Sequence, residues 1–231
     1  MRRLTVILLL VLIPALSHAQ EPSAWMDESL TIGYNRSFGV YTQQASSVFW
    51  NVTERVQVRG GFAFHSRYDA TEIGSTLFFP LNENHRLGVE GFGLGRWSSG
   101  YNINDYSLGV LGLWSWRGRL EVKAGPYFRW LSPAHGTGGV FEPFNLAYSL
   151  SFTALPGVSP FNFEASLTNL DNFTAERFYC PMLSATVSYK MQESGVNYKF
   201  YLRLREHSSG TFDLTSNFFD HQMVMGVVFI W

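Results

Sequence analysis

One cysteine, Cys180, is the whole thiol content of the 231-residue chain. No intrachain disulfide framework can therefore hold a small secreted fold together. Charge is sparse and balanced: 17 Lys and Arg against 18 Asp and Glu give a formal net charge of −1. That excludes the strong basic field on which nucleic-acid binding rests. Long apolar runs are missing too, since nothing beyond the first 19 residues approaches the roughly 18 needed for a spanning helix. If this chain crosses a membrane it does so as a closed barrel, the other architecture that pairs every backbone group in lipid. Aromatic residues, by contrast, are plentiful at 16%, yet the mean hydropathy is only −0.02. Many rings with a neutral average point to alternation, in which lipid-facing and water-facing side chains cancel.

The first residues read as a targeting segment. Arg2 and Arg3 supply positive charge, Leu4 to Ile13 a short apolar core, and Pro14 a break. Ser17-His18-Ala19 then places small residues where a signal peptidase reads them. Residues 1–19 are expected to be a signal peptide, and 20–231 one exported domain, a size that suits a single large all-β unit. No cysteine lies near the expected cleavage site, so a lipoprotein anchor is not expected.

Period-two alternation recurs along the rest. From Gly118 to Trp130, Arg119, Glu121, Lys123, Gly125, Tyr127 and Arg129 oppose Leu120, Val122, Ala124, Phe128 and Trp130. From Val196 to Glu206, Asn197, Lys199, Tyr201, Arg203 and Arg205 oppose Val196, Tyr198, Phe200, Leu202 and Leu204. About twelve such runs begin near Ser29, Ala45, Val56, Thr71, Arg86, Asn104, Gly118, Glu142, Phe161, Tyr179, Val196 and Phe219, with ten strands as the alternative count. Connections after even runs are mostly tight; those after odd runs are mostly longer and polar, as at Ser132 to Val140, Asp171 to Phe178 and His207 to Asn217. Trp50, Trp114, Trp116 and Trp231 fall at one set of run ends and Trp97 and Trp130 at the other, all outward by parity, as two interfacial girdles would.

The chain closes on Val227-Val228-Phe229-Ile230-Trp231, with Phe229 and Trp231 on one face and Gly226 three residues before Phe229. This pattern resembles the terminal assembly signal of Gram-negative outer-membrane β-barrel proteins. The resemblance implies an all-β, antiparallel transmembrane barrel of the cell outer membrane, with both termini periplasmic. Its partners would be outer-membrane lipid and the barrel-assembly machinery, which would read Gly226, Phe229 and Trp231. The last strand is expected to pair with the first near Leu30.

Inward parity assigns to the lumen Arg59, Arg86, Glu90, Arg119, Glu121, Lys123, Arg129, Lys199, Arg203 and Arg205, together with His65, Glu72, Arg96, Asp105, Glu164, Lys190, His207 and Asp220. Phe49, Phe78, Phe92, Leu94, Leu111 and Leu113 point the same way and would narrow the bore. Charges so placed must face water or one another, because unpaired burial is costly. Either they form a structural ion-pair network, or they line a wet, slightly basic channel that favours small anionic solutes. No loop is long enough for a large folded plug, so a narrow pore is expected. Twelve-stranded channels for acidic oligosaccharides have this size and a basic lumen, but no motif ties the chain to them.

His207-Ser208-Ser209-Gly210 resembles the His-x-Ser motif of outer-membrane phospholipase A and of lipid A 3-O-deacylases. That resemblance would make His207 a general base and Ser209 a nucleophile in acyl-ester cleavage. Parity with Arg203 and Arg205 turns His207 to the lumen, away from lipid. His65, His135, His207 and His221 lie on separate segments without ligand spacing, so neither metal nor cofactor is expected. The leading expectation is a passive channel or structural barrel; an acyl hydrolase and a surface adhesion or assembly barrel acting through its loops are the alternatives.

Overall fold

The structure, a computed structural model, describes residues 24–98, 102–155, 159–193, 196–208 and 218–231. Twelve strands follow in chain order: β1 Ala24–Asn35, β2 Gly39–Asn51, β3 Val56–His65, β4 Tyr68–Pro80, β5 His85–Ser98, β6 Ile103–Trp116, β7 Leu120–Pro133, β8 Val140–Thr153, β9 Phe161–Thr168, β10 Met182–Glu193, β11 Val196–Ser208 and β12 Phe218–Ile230. Every strand pairs antiparallel with its sequence neighbours, and β12 returns to β1, so the sheet closes into a barrel. The closing seam sets Trp25 opposite Ile230 and Leu30 opposite Met225. Trp231 and Ala24 exchange backbone hydrogen bonds just beyond it. For a ring of twelve strands, spacing and tilt imply a backbone diameter of roughly 24 Å.

The alternation in the sequence is an alternation between two solvents. On one face lie buried polar groups, such as Glu72 at 1% exposure and Glu90 at 2%; on the other, Ile73 is 67% exposed, Leu108 63% and Phe144 72%. In water such an outer belt would be a large aggregation surface. In hydrocarbon it is the stable arrangement, with each backbone group held in the ladder. Trp50, Trp97 and Trp130 are exposed outward at the strand ends. Trp25, by contrast, turns inward and stacks on Phe49 with ring centroids 5.1 Å apart.

At the end of the barrel where β1 begins and β12 ends the turns are mostly short, at 52–55, 81–84, 117–119 and 154–160. At the opposite end the length rule holds from the fourth connection on, with 134–139, 169–181 and 209–217, but 36–38, 66–67 and 99–102 are short. One residue expected on the wall is not there. Arg119 lies exposed in the 117–119 turn. Arg117 and Gly118 have φ of 52° and 63°, the left-handed pair of a tight hairpin turn. Alternation therefore starts at Leu120, not at Gly118.

Gly226 has a packing reason. The Tyr201 ring lies across it, and a Cβ built there would come within 2.3 Å of the ring. The two residues face each other across β11 and β12. Tyr201, so seated, donates its hydroxyl to Asp27 at 2.8 Å.

Candidate functional site: the barrel interior

The inner face divides into two walls of opposite electrostatic character. Along β3–β7 the charges are spent on one another. Arg59 reaches Glu90 at 2.6 Å and lies 3.2 Å from Glu72; Lys123 bonds Glu90 at 3.0 Å and Glu121 at 3.3 Å. Ser47 donates to the other oxygen of Glu72 at 2.6 Å. Nearer the far end Asp105 accepts from Arg96 at 2.6 Å and from Arg129 at 2.8 and 3.0 Å. Arg86 lies over the Phe78 ring at 4.2 Å. Glu90 and Asp105 thus each touch two cations and Glu72 one, which is how charges this buried avoid an uncompensated desolvation penalty.

Along β8–β11 the inner face carries hydroxyls instead: Ser149, Ser151, Ser166, Thr168, Ser184, Thr186 and Ser188. Among them stand Lys190, Lys199 and Arg203, together with one carboxylate, Glu164 of β9, opposite Thr186. Arg203 donates to Thr186 at 3.0 Å and lies over the Tyr201 ring at 5.2 Å. Ser166 and Ser184 share a hydrogen bond of 2.7 Å. Among the described residues, none of these three cations has a carboxylate within 4.0 Å.

Between the walls runs a segment that sequence reading placed outside. Residues 169–181, joining β9 to β10, fold into the barrel. The departure begins at Asn169, which is fully buried. Its side chain accepts from the Tyr148 amide at 2.7 Å and donates to the Leu146 and Glu176 carbonyls at 2.8 and 2.7 Å. That side-chain amide does for β8 what a continuing β9 backbone would have done, so the chain can leave the sheet without orphaning its edge. Leu170 and Ala175 then bridge, and the Asp171 amide donates to Thr174 at 2.8 Å, forming a small hairpin.

The hairpin crosses the lumen. Ala175 packs with Phe92, Leu94, Leu111, Tyr127 and Ala147. Phe173, its tip, packs against Ala45, Ala63 and Ala70, with Tyr68 beside them. Those three alanines face one another directly across β2, β3 and β4, a row of small side chains that leaves a socket one ring deep. Asp171 is clamped by Arg205, whose two terminal nitrogens reach its two oxygens at 2.5 and 3.2 Å. Burial alone would raise the Asp171 carboxyl, but Arg205 and the Asn172 amide outweigh it and hold it below the ordinary aspartate range. Arg96 contacts Thr174 at 3.5 Å from a third side. The interior is thus constricted by the chain itself, not by the inward phenylalanines and leucines alone. No loop is long enough for a large folded plug, yet the segment 169–181 narrows the bore.

On the hairpin's far side is a recess of about 180 Å³ lined in part by Tyr41, His65, Tyr68, Arg205 and His207. His207 keeps the inward side, opposite Asp220, because the register shift between β11 and β12 falls after it, between His207 and Ser208. Its ring meets Phe219 edge-on at 6.4 Å, and its Nε2 has no hydrogen-bond partner. Ser209, the other half of the expected catalytic pair, lies outside the described residues.

No family model and no curated protein matches the chain. Solved structures do. The KdgM porin, solved in complex with disordered oligogalacturonate, is 12% identical over 90% of this chain and 99% of that one, with a TM-score of 0.54. The NanC porin is 11% identical over 88% and 98%, also at 0.54. The translocator domain of the autotransporter NalP from Neisseria meningitidis is 12% identical over 100% and 96%, at 0.50. At such identities the likeness is one of fold, and the fold is that of outer-membrane β-barrels.

Proposed function

We propose that the protein is a narrow passive channel of the outer membrane that carries small anionic solutes along its β8–β11 wall. In this reading the chain is exported by residues 1–19 and stands with both termini in the periplasm. Its outer belt is covered by lipid, and the assembly machinery reads Gly226, Phe229 and Trp231. The observation that carries the reading is the imbalance of the walls. Most charges on β3–β7 are paired, whereas among the described residues Lys190, Lys199 and Arg203 have no carboxylate partner. Fixed, unpaired cations along a wet path raise the local concentration of anions and lower that of cations. The oligogalacturonate bound by the KdgM porin is itself a polyanion, which agrees with this use of the fold.

Reversal potentials across planar bilayers under a KCl gradient test the proposal. The wild-type barrel should favour chloride, and Lys199→Glu combined with Arg203→Glu should turn the preference toward potassium. A folded barrel that passes no current at any salt concentration would refute the channel.

A further inference from the structure

The lysines of the unpaired wall are placed in a way that solvation alone does not require. Lys190 on β10 and Lys199 on β11 are direct cross-strand partners. Their α-carbons are therefore only about 5 Å apart, and like charges directly opposite destabilise a sheet. Elsewhere in this barrel an inward lysine finds acids: Lys123 reaches both Glu90 and Glu121. Glu164 and Asp27 are near enough to act on Lys199 through space, yet neither comes within 4.0 Å of either lysine. Asp27 is engaged instead by the Tyr201 hydroxyl. Two lysines without an acidic partner among the described residues thus face each other across β10 and β11, at the barrel end where β1 begins and β12 ends.

We infer that Lys190 and Lys199 form a binding site for a compact divalent oxyanion of the phosphate class. Two lysines at directly paired positions match a dianion in charge, whereas a single carboxylate would leave the pair half neutralised. Lysine binds phosphate as a point charge with three rotatable donors. The remaining oxygens of a tetrahedral anion would meet donors, since Ser188 and Gln192 flank Lys190 on β10 and Asn197 precedes Lys199 on β11, all on the same face. Asn162, opposite Ser188 on β9, extends that set. No unpinned aromatic plane lies on this wall, since Tyr201 is held over Gly226. The site therefore favours a small hydrated oxyanion over the flat face of a saccharide. It depends on the channel reading for its use in transport, but not for binding.

Titration calorimetry of the full-length, detergent-solubilised barrel at low salt and pH 8, with inorganic phosphate as the probe, tests the inference. Saturable binding is expected, weakened about tenfold or more by Lys190→Gln combined with Lys199→Gln. Acetate at the same ionic strength should bind at least about tenfold more weakly than phosphate. Far-ultraviolet circular dichroism must show the variant to be an intact β-barrel. The single substitutions Lys190→Arg and Lys199→Arg, which keep the charge, should retain most of the affinity. No binding by the wild-type protein, equal binding by the folded glutamine variant, or equal binding of acetate would each overturn the site. Phosphate binding without conductance would leave the site standing and remove the channel; conductance without phosphate binding would do the reverse.

Discussion

Replacing Phe173 by alanine takes away the tip of the inward hairpin and leaves the barrel wall untouched. The ring is 6% exposed in its alanine socket, and truncating a phenylalanine so buried costs about 3–5 kcal/mol. Opposing that, holding the six residues from Leu170 to Ala175 in one conformation costs roughly 1–2 kcal/mol each. The clamp of Asp171 by Arg205 adds about 1.5–3 kcal/mol for a charged hydrogen bond, so the two anchors together do no more than offset the ordering cost and neither is dispensable. Losing Phe173 removes the larger of them, whereas the wall is secured by twelve strand pairings that do not include it. The expected outcome is local release. Single-channel conductance in planar bilayers should rise, amide protection of residues 170–176 should fall, and the unfolding temperature of the barrel should stay nearly unchanged. Ala63→Phe provides a second route, because Ala63 is fully buried between Ala45 and Ala70 and a ring there fills the socket from the wall side. If both variants fold and neither changes conductance or hairpin protection, the hairpin is not the constriction and the reasoning fails.

Two further outcomes follow from individual contacts. The Asp171 carboxyl is held below its ordinary value of about 3.9 chiefly by Arg205 against the pull of burial. The clamp therefore contributes fully above that ordinary value and is lost as pH falls through the lower, folded one; conductance should rise below about pH 4, and Asp171→Asn should abolish that rise. Gly226→Val would drive a Cβ to 2.3 Å from the Tyr201 ring, so the yield of inserted barrel should drop sharply, with partial recovery when Tyr201→Ala is added; an undiminished yield from Gly226→Val alone would show that the close approach is unimportant.

The barrel was legible because its evidence is periodic. Each strand repeats one decision, apolar outward and polar inward, and the alternation around Gly118 to Trp130 or Val196 to Glu206 states it many times over. Closure was legible from the terminal Phe229 and Trp231 and was realised in the pairing of β12 with β1. What escaped was not periodic. Arg119 was drawn into β7 because alternation continues through a turn whose left-handed residues, Arg117 and Gly118, leave no mark on parity. Trp25 was missed because the pattern becomes obvious only at Ser29, five residues into β1. The hairpin was read as a polar outer loop because its composition, with Asp171, Asn172, Thr174 and Glu176, is that of one. Its inward course is set by partners far off in sequence: Asn169 against β8, Asp171 against Arg205, and Phe173 against three alanines. The alanines were the available signal. Ala45, Ala63 and Ala70 are small inward residues in direct register, and such a row inside a barrel leaves room that some other side chain must fill.

The hairpin bears on the inward cations of β11. Arg205, Arg203 and Lys199 occupy inner positions of that strand, a column of cations running from the hairpin toward the end where β1 begins and β12 ends. Arg205 is already engaged, since the hairpin sets the Asp171 carboxylate against it in a two-pronged contact. Arg203 and Lys199, below it, are not paired with acids. The hairpin therefore does two things at once. Through Phe173 and Ala175 it fills space between the walls, and through Asp171 it lays a tethered anion at the head of the column. A negative charge fixed there satisfies Arg205, which would otherwise be a buried and uncompensated cation. It also shortens the run of free cations to those beyond the hairpin. The same thirteen residues thus narrow a bore that twelve strands alone would leave wide and take Arg205 out of the run of unpaired positive charge on β11.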